Sequence, residues 1–416
     1  MTLTSARVPA AGVRRLTTTL YGYAFLDEFV LLYPVYALLF ADTGLSVWQM
    51  SSLFVLWSAT GVLLEVPSGA WADAVSRRTL LWLGPLLGGA GFALWVLFPS
   101  YWAFALGFVL WGARGALASG ALEALVYEEL ERLGAADRYA RVMGRAHAAG
   151  QAAAMTAMAA AGPVFAAHGY PAVGAASVLA CLLCAATATR FPEHRVPGPG
   201  PDAGRPASGP ASGPGFRAGD APETGWSAAL RAGLGEVRRD RSVRGALLLV
   251  PAAGAVWGAL DEYTPLLARD TGVADATVPY VLVVIWAGVT AGSLLAGPAE
   301  RLGSAPKGLA ALLAVSALAL AVGAAAGTPA GIALVAAAFG GFQLATVLAD
   351  ARLQRRIEST GRATVTSLAG LATELTTIAV YAAYATALTS TGAHTTTFAL
   401  FAVPYLLTAA VLATRR

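Results

Sequence analysis

Two pairs of adjacent carboxylates stand inside otherwise apolar runs: Asp27-Glu28 in LDEFVLLYPVYALLFADTG (26–44) and Asp261-Glu262 in LDEYTPLLARDTG (260–272). A single arginine, Arg114, interrupts another apolar run, and Glu374 a further one, within TELTT. A charge at the centre of a bilayer costs roughly 2.5–3.5 kcal/mol on the insertion scale, so such residues are kept only where they are paired or useful. From Thr17, Asp27 lies about 15 Å along a helix at the ordinary rise per residue, near mid-membrane, and Arg114 reaches a similar depth from Trp102. Depth alone does not say whether the helix of Arg114 adjoins that of Asp27 and Glu28. Neighbouring positions differ by about 100° around a helix, so one acid can point to a cavity and the other to a second helix. Two chemistries follow. The pair can be a permanent salt bridge that fixes helix packing. It can instead hold a titrating acid, because burial and a nearby cation pull a carboxylate's proton affinity in opposite directions.

The remaining candidates rank below these. The second acidic string is shorter than the first by about one and a half helical turns, so Asp261 and Glu262 are expected nearer the outer end and not at equal depth. Glu374 is a second midplane acid, and Glu65, closer to the inner face, is read as a structural link. Tyr33, Tyr36, Trp57, Trp257, Tyr263, Phe342, Tyr381 and Tyr384 are expected as cavity walls, with Gln343 as a polar handle. Surplus acids at depth suit cationic or amphipathic substrates and proton coupling alike.

The elements that position these residues follow from composition. Of the 416 residues 57% are hydrophobic and only 12% charged, with mean hydropathy +0.62. Soluble domains carry about 25% charged residues, so lipid is the solvent for most of this chain. A crossing needs about 20 apolar residues. That ruler predicts spans near 17–40, 47–71, 78–98, 101–124, 142–167 and 170–190, then 245–268, 277–299, 307–326, 329–351, 363–388 and 394–413. Pro34, Gly162-Pro163, Pro251, Pro265 and Pro404 mark expected bends. The implied class is an all-α integral membrane protein of twelve helices in two six-helix halves. A tail (1–16), a first half (17–190), a linker (191–244) and a second half (245–413) make up the domain plan. No cleavable leader is read at the start, where Arg14-Arg15 precede a run too long for a signal peptide.

The net charge of +4 does not imply nucleic acid, because the basic residues are sorted by side. If residue 1 is cytoplasmic, every lysine and arginine except Arg114 and Arg269 falls in inner loops, tails or the linker, a strong inside-positive pattern with both termini inside. The linker opens with VPGPGPDAGRPASGPASGPG (196–215), which cannot pack a core. WSAALRAGLGEVRRDRSV (226–243) then places Trp226, Leu230, Leu234 and Val237 on one stripe, read as an amphipathic helix on the inner leaflet or a solvated linker helix. Cys181 and Cys184, the two cysteines, lack the partners of a zinc site and read as core.

Between the second and third spans stands GAWADAVSRR (69–78). It resembles the signature loop of the major facilitator superfamily, with Gly69, Asp73, Arg77 and Arg78 at the required positions and Ser76 in place of the usual glycine. Gly69 would admit a neighbouring helix closely, and Asp73 and Arg77, four apart, can pair on one helix face. The resemblance implies that Asp73, Arg77 and Arg78 form a cytoplasmic gate that does not touch substrate, and that the first and fourth helices of each half face a central cavity, which would let Arg114 face Asp27 or Glu28. LLEVPSGAWAD (63–73) looks like the form found in bacterial drug-efflux-like members. Arg114 resembles the arginine of the family's fourth-helix motif, and Gly162-Pro163 the end of its antiporter motif.

The resemblance implies a proton-coupled exporter of small organic or drug-like compounds in the bacterial cell membrane, monomeric and without cofactor or metal. Proton-coupled uptake of a nutrient is the alternative. Enzymes find no support: there is no HExxH or buried GxSxG, and His147, His168, His194 and His394 lie at separate loops or helix ends. ATP-driven pumping lacks its phosphate loop. A non-transporting membrane sensor stays open.

Overall fold

In the computed structural model the described residues are 10–74, 76–118, 121–192, 239–302, 306–357 and 362–414. At residues 65–74, which include Glu65, Gly69 and Asp73, only the helical backbone is described and not the side chains, and the expected amphipathic stripe at 226–237 lies outside the described residues. Helices account for nearly all of them, and there is no strand among them. Ten helices are long and apolar enough to cross a membrane by that test alone. One of these, α7 (Tyr139–Ala188), is two crossings folded at Gly169, whose φ of 64° is a left-handed conformation that suits a residue without a Cβ. The first crossing escapes the test because it is broken into α1 (Ala10–Glu28) and α2 (Tyr36–Asp42). Counted as paths through the bundle, the described helices make the twelve expected crossings. An even number returns the chain to the end where it began.

The other elements of the first half are α3 (Val47–Ala74), α4 (Arg77–Leu97), α5 (Tyr101–Ala118) and α6 (Ala121–Arg132), the last two forming the fourth crossing. The second half opens with α8 (Arg241–Asp261), a few residues before the expected start, and continues as α9 (Thr264–Asp270). It then runs through α10 (Val278–Leu302), α11 (Pro306–Ala325), α12 (Gly331–Gln354), α13 (Arg362–Thr391), α14 (His394–Leu400) and α15 (Val403–Thr414). Packing follows the sequence halves: α1 lies on α7, α4 on α5 and α7, α10 and α11 on α12, and α8 on α12 and α13. The halves meet where α13 packs on α3 and α10 on α7. Leu63, Leu294 and Val315 point outward at 72%, 75% and 66% exposure, which suits a lipid-facing belt and no aqueous one.

Both acidic strings fall where the first crossing of a half is interrupted. α1 stops at Glu28 and resumes at Tyr36; α8 stops at Asp261 and resumes at Thr264. The length difference between the strings is absorbed in these interruptions, so the acids occupy corresponding places in the two halves. The expectation of unequal depth treated each string as one continuous helix, which neither is. A broken helix exposes backbone groups that lipid cannot satisfy. Here Leu32 N–H donates to buried Ser177 Oγ at 3.0 Å, Arg114 Nη2 donates to Asp27 O at 2.6 Å, and Thr264 Oγ1 donates to Asp261 O at 2.6 Å. Pro34 lies in the first break, whereas Gly162-Pro163 and Pro251 lie within continuous helix.

The signature loop departs from its expected geometry. α3 runs through Ala74, and Ser76, at φ −58° and ψ 124°, caps α4 by accepting from Thr79 N–H at 3.2 Å. Asp73 and Arg77 therefore belong to consecutive helices rather than to one, and the Asp73 side chain on which their pairing depends lies outside the described ones. Arg77 reaches Glu128 on α6 at 2.5 Å, and Arg78 Nη1 donates to Phe191 O at 3.5 Å.

Candidate functional site

The paired charges meet as anticipated. Arg114 Nη2 lies 2.6 Å from Asp27 Oδ1 and makes a second bond to the same residue's carbonyl. The Arg114 side chain is 8% exposed and that of Asp27 26%. Gly88 makes room for it: a Cβ there would stand 2.9 Å from Arg114 Cδ. Arg114 Nη1 is buried with no hydrogen-bond partner among the described residues, so its charge depends on Asp27. Cys184, which composition alone assigns to the core, adds an S–H donor 3.7 Å from Asp27 Oδ1.

In front of this pair opens a cavity of about 630 Å³ between the halves. Its mid-bundle wall carries Asp27, Glu28, Asp261 and Glu262 with Tyr33, Tyr36, Trp57, Trp111 and Trp286. It continues past Gln151 and Met143 to Glu123 and His147, at the end of the bundle that bears the chain termini. Arg114 stays behind Asp27 and lines no wall. Glu28 is exposed to this space, and neither it nor Asp261 nor Glu262 makes a side-chain hydrogen bond or ion pair with any described residue. Tyr33 stacks on Trp111 at 5.1 Å and Trp111 on Trp57 at 4.9 Å, a run of three parallel rings along one wall. A cation above such ring faces gains about 0.5–2 kcal/mol.

The opposite end is closed. Arg269 spans the halves, donating to Asp42 Oδ1 at 2.8 Å and to Asp275 at 2.8 and 2.9 Å. Tyr170 donates to Asp42 Oδ2 at 2.5 Å. Burial alone would raise the Asp42 carboxyl, but hydrogen bonds from Arg269 and Tyr170, with the guanidinium charge, hold it below its ordinary value. Deeper in the bundle the hydroxyls of Ser51 and Tyr263 are 2.6 Å apart, and Phe54 packs edge-on against Tyr263 at 5.3 Å. Gly162, in the helix expected to carry the antiporter motif, touches the other half so closely that a Cβ would sit 2.6 Å from the Tyr280 ring. Pro163 is its neighbour in that continuous helix.

Several expected wall residues are elsewhere. Trp257 lies within the second half, donating its backbone N–H to Tyr405 Oη at 2.8 Å and its ring N–H to Thr346 Oγ1 at 3.3 Å. Tyr263 is wholly buried in the closed end, Phe342 stacks on Tyr405 at 3.8 Å, and Gln343 donates to Ser293 at 2.9 Å. Tyr384 pairs with His394 Nδ1 at 2.6 Å. None of these lines the central cavity. Tyr381 and Glu374 line a second cavity beside it. Trp111 and Trp286 escaped sequence reasoning. Trp111, three residues before Arg114 and so on the same helix face, carried a usable signal.

The profile of the Major Facilitator Superfamily matches residues 18–380. No curated protein matches the chain in sequence. Among solved structures, the nucleoside transporter NupG superposes with TM-score 0.71 at 12% identity over 96% of this chain and 98% of that one. An auto-inhibited POT family peptide transporter does so with TM-score 0.64 at 14% identity, covering 96% of each chain. A bacterial homologue of the human lysosomal transporter Spinster gives TM-score 0.64 at 15% identity, over 98% of this chain and 94% of its own. At such identities these likenesses establish the fold alone. Twelve helical crossings around a cavity between two halves, and a family profile that spans most of the sequence, make this chain a multi-pass membrane transporter of the Major Facilitator Superfamily.

Proposed function

We propose that this secondary transporter exchanges protons for small organic cations of drug-like character, and exports them across a bacterial cell membrane with both termini inside. The observation that carries this reading is the unequal state of the cavity acids. Asp27 is committed to Arg114, while Glu28, Asp261 and Glu262 face the same space without a counter-ion among the described residues. The form with access from the terminus-bearing end is then inward-facing.

The exchange follows from electrostatics. An uncompensated charge in a closing, water-poor cavity costs several kcal/mol. The halves therefore rock past the occluded state only when the free carboxylates are covered, either by a bound cation or by protons. Each passage in one direction carries cargo and each return carries protons, so the two are exchanged. Reaching the outward-open form requires Arg269 to leave Asp42, and Phe54 to part from Tyr263. The Gly69–Arg78 loop, with Glu65 beside it, is assigned to latch the opposite end in that form. The LLEVPSGAWAD stretch supports export, through its likeness to drug-efflux-like members.

The test is flux in proteoliposomes under an imposed pH gradient, with a panel of cationic and neutral aromatic compounds. Cations should move against the proton flow, and Glu28→Gln should abolish gradient-driven movement. Cargo that moves in the same direction as protons would replace export by uptake. Equal transport of neutral compounds would remove the cation requirement.

A further inference from the structure

Beside the central cavity lies a second one of about 550 Å³, set between α3 and α5 of the first half and α8 and α13 of the second. Trp57, Trp111 and Glu262 belong to the walls of both, so the two spaces adjoin along the stacked rings. At its far side stand Glu374, Thr373 and Thr377. Part of its lining is bare backbone. Gly61 and Gly115 on one half and Gly258 on the other have open space where a Cβ would be. The glycines that this chain uses for close helix contact are different ones: Gly288 and Gly292 would drive a Cβ to 2.3 and 2.0 Å from a facing carbonyl. Gly61, Gly115 and Gly258 thus leave room that helix packing does not require, whereas Gly112 and Gly254 in the same lining are packed, a Cβ there standing 2.9 Å from Thr60 and 3.1 Å from Thr346. In helix interiors glycine costs about 0.8–1 kcal/mol against alanine, a standing cost for which packing gives no return here.

We infer that this space is a second cargo compartment, built for the distal cationic head of an elongated ligand whose first head sits among Glu28 and Asp261. The inference rests on the proposed cation reading of the central cavity. The linker of such a ligand crosses at the Trp57–Trp111 stack beside Glu262, where apolar atoms meet ring faces. The second head comes to Glu374, with two threonine hydroxyls near it and Tyr381 as a further aromatic wall. The class of ligand is a dication with charges at the two ends of a mainly apolar chain. Compact monocations use the central compartment alone.

The experiment measures dissociation constants of tetramethylammonium, hexamethonium and decamethonium on the purified full chain in nanodiscs, read by tryptophan fluorescence. The wild type is expected to bind decamethonium at least about tenfold more tightly than tetramethylammonium, about 1.4 kcal/mol. Gly115→Leu and Gly258→Leu, which fill the compartment while improving helix propensity, should bring that ratio close to one. Glu374→Gln should reduce it several-fold. Tight tetramethylammonium binding with no gain from the longer dications would overturn the second compartment and leave the central site standing. A ratio that persists in both leucine variants would also overturn it. Failure of all three probes to bind the wild type would take down the cation reading itself.

Discussion

Neutralising Asp27 should damage the fold more than removing its partner, although the two form one salt bridge. Arg114 is the more deeply buried member, at 8% side-chain exposure against 26%. A guanidinium cannot shed its charge within proteins, and Arg114 Nη1 already lacks a partner among the described residues. Asp27→Asn keeps an acceptor oxygen for Nη2 but strands the cation. Removing one member of a buried pair costs about 3–5 kcal/mol, and this variant belongs at the upper part of that range. Arg114→Gln leaves an acid that borders the cavity, where water or a proton can reach it, so the loss should lie near about 3 kcal/mol. The double variant strands no charge and should lose less than the sum of the singles, with a coupling energy of about 2–3 kcal/mol. Equilibrium unfolding of the four proteins in mixed micelles, followed by tryptophan fluorescence, measures the cycle. Additive losses, or an Asp27→Asn protein as stable as wild type, would refute the view that this acid serves as a fixed counter-ion.

Three further outcomes can be checked separately. A carboxyl held low in the closed form contributes to closure above its ordinary value, about 3.9, and loses that contribution only as pH falls through the lowered one. The Asp42–Arg269 latch should therefore be unaffected between pH 8 and 5, whereas Asp42→Asn should favour opening at every pH; cross-half spin-label distances at that end report both. Gly88→Ala would set a Cβ 2.9 Å from Arg114 Cδ, and should cost about 1–3 kcal/mol in the same unfolding assay through overpacking. Gly162→Leu cannot coexist with the Tyr280 ring and the Ala276 carbonyl, 2.6 and 2.9 Å from its Cβ. It should shift the same spin-label distances toward the opposite form; Tyr280→Ala would restore them only in part, since the carbonyl remains.

The parts legible in the sequence were those set by rare residues in a strict solvent. Arg114 and Asp27 stood out because lipid tolerates few charges, and similar depth together with the facing of their helices that the family resemblance implied brought them together. The number of crossings was legible for the same reason. The helix breaks at 29–35 and 262–263 were not, because their apolar residues are equally at home in a continuous helix and the satisfying groups, Ser177 and Arg114, come from distant crossings. Trp257 shows a second limit: an aromatic ring in an apolar helix gives no sign of which neighbour it faces, and this one serves Thr346 within its own half. At Arg77, a spacing of four suggested one helix, while the serine just before it is a preferred N-cap and begins a new one.

The central claim is that the unpaired cavity carboxylates hold either a cation or a proton, and it is tested most directly by counting protons released when cargo binds. Purified protein in weakly buffered solution near neutral pH would be titrated with a transported cation while the proton yield is read from a dye. The yield should rise with cation occupancy, fall in Glu28→Gln and fall again in Glu28→Gln/Glu262→Gln, with Glu128→Gln equal to wild type. Saturating cation binding with no proton released, or an undiminished yield from the double variant, would contradict it.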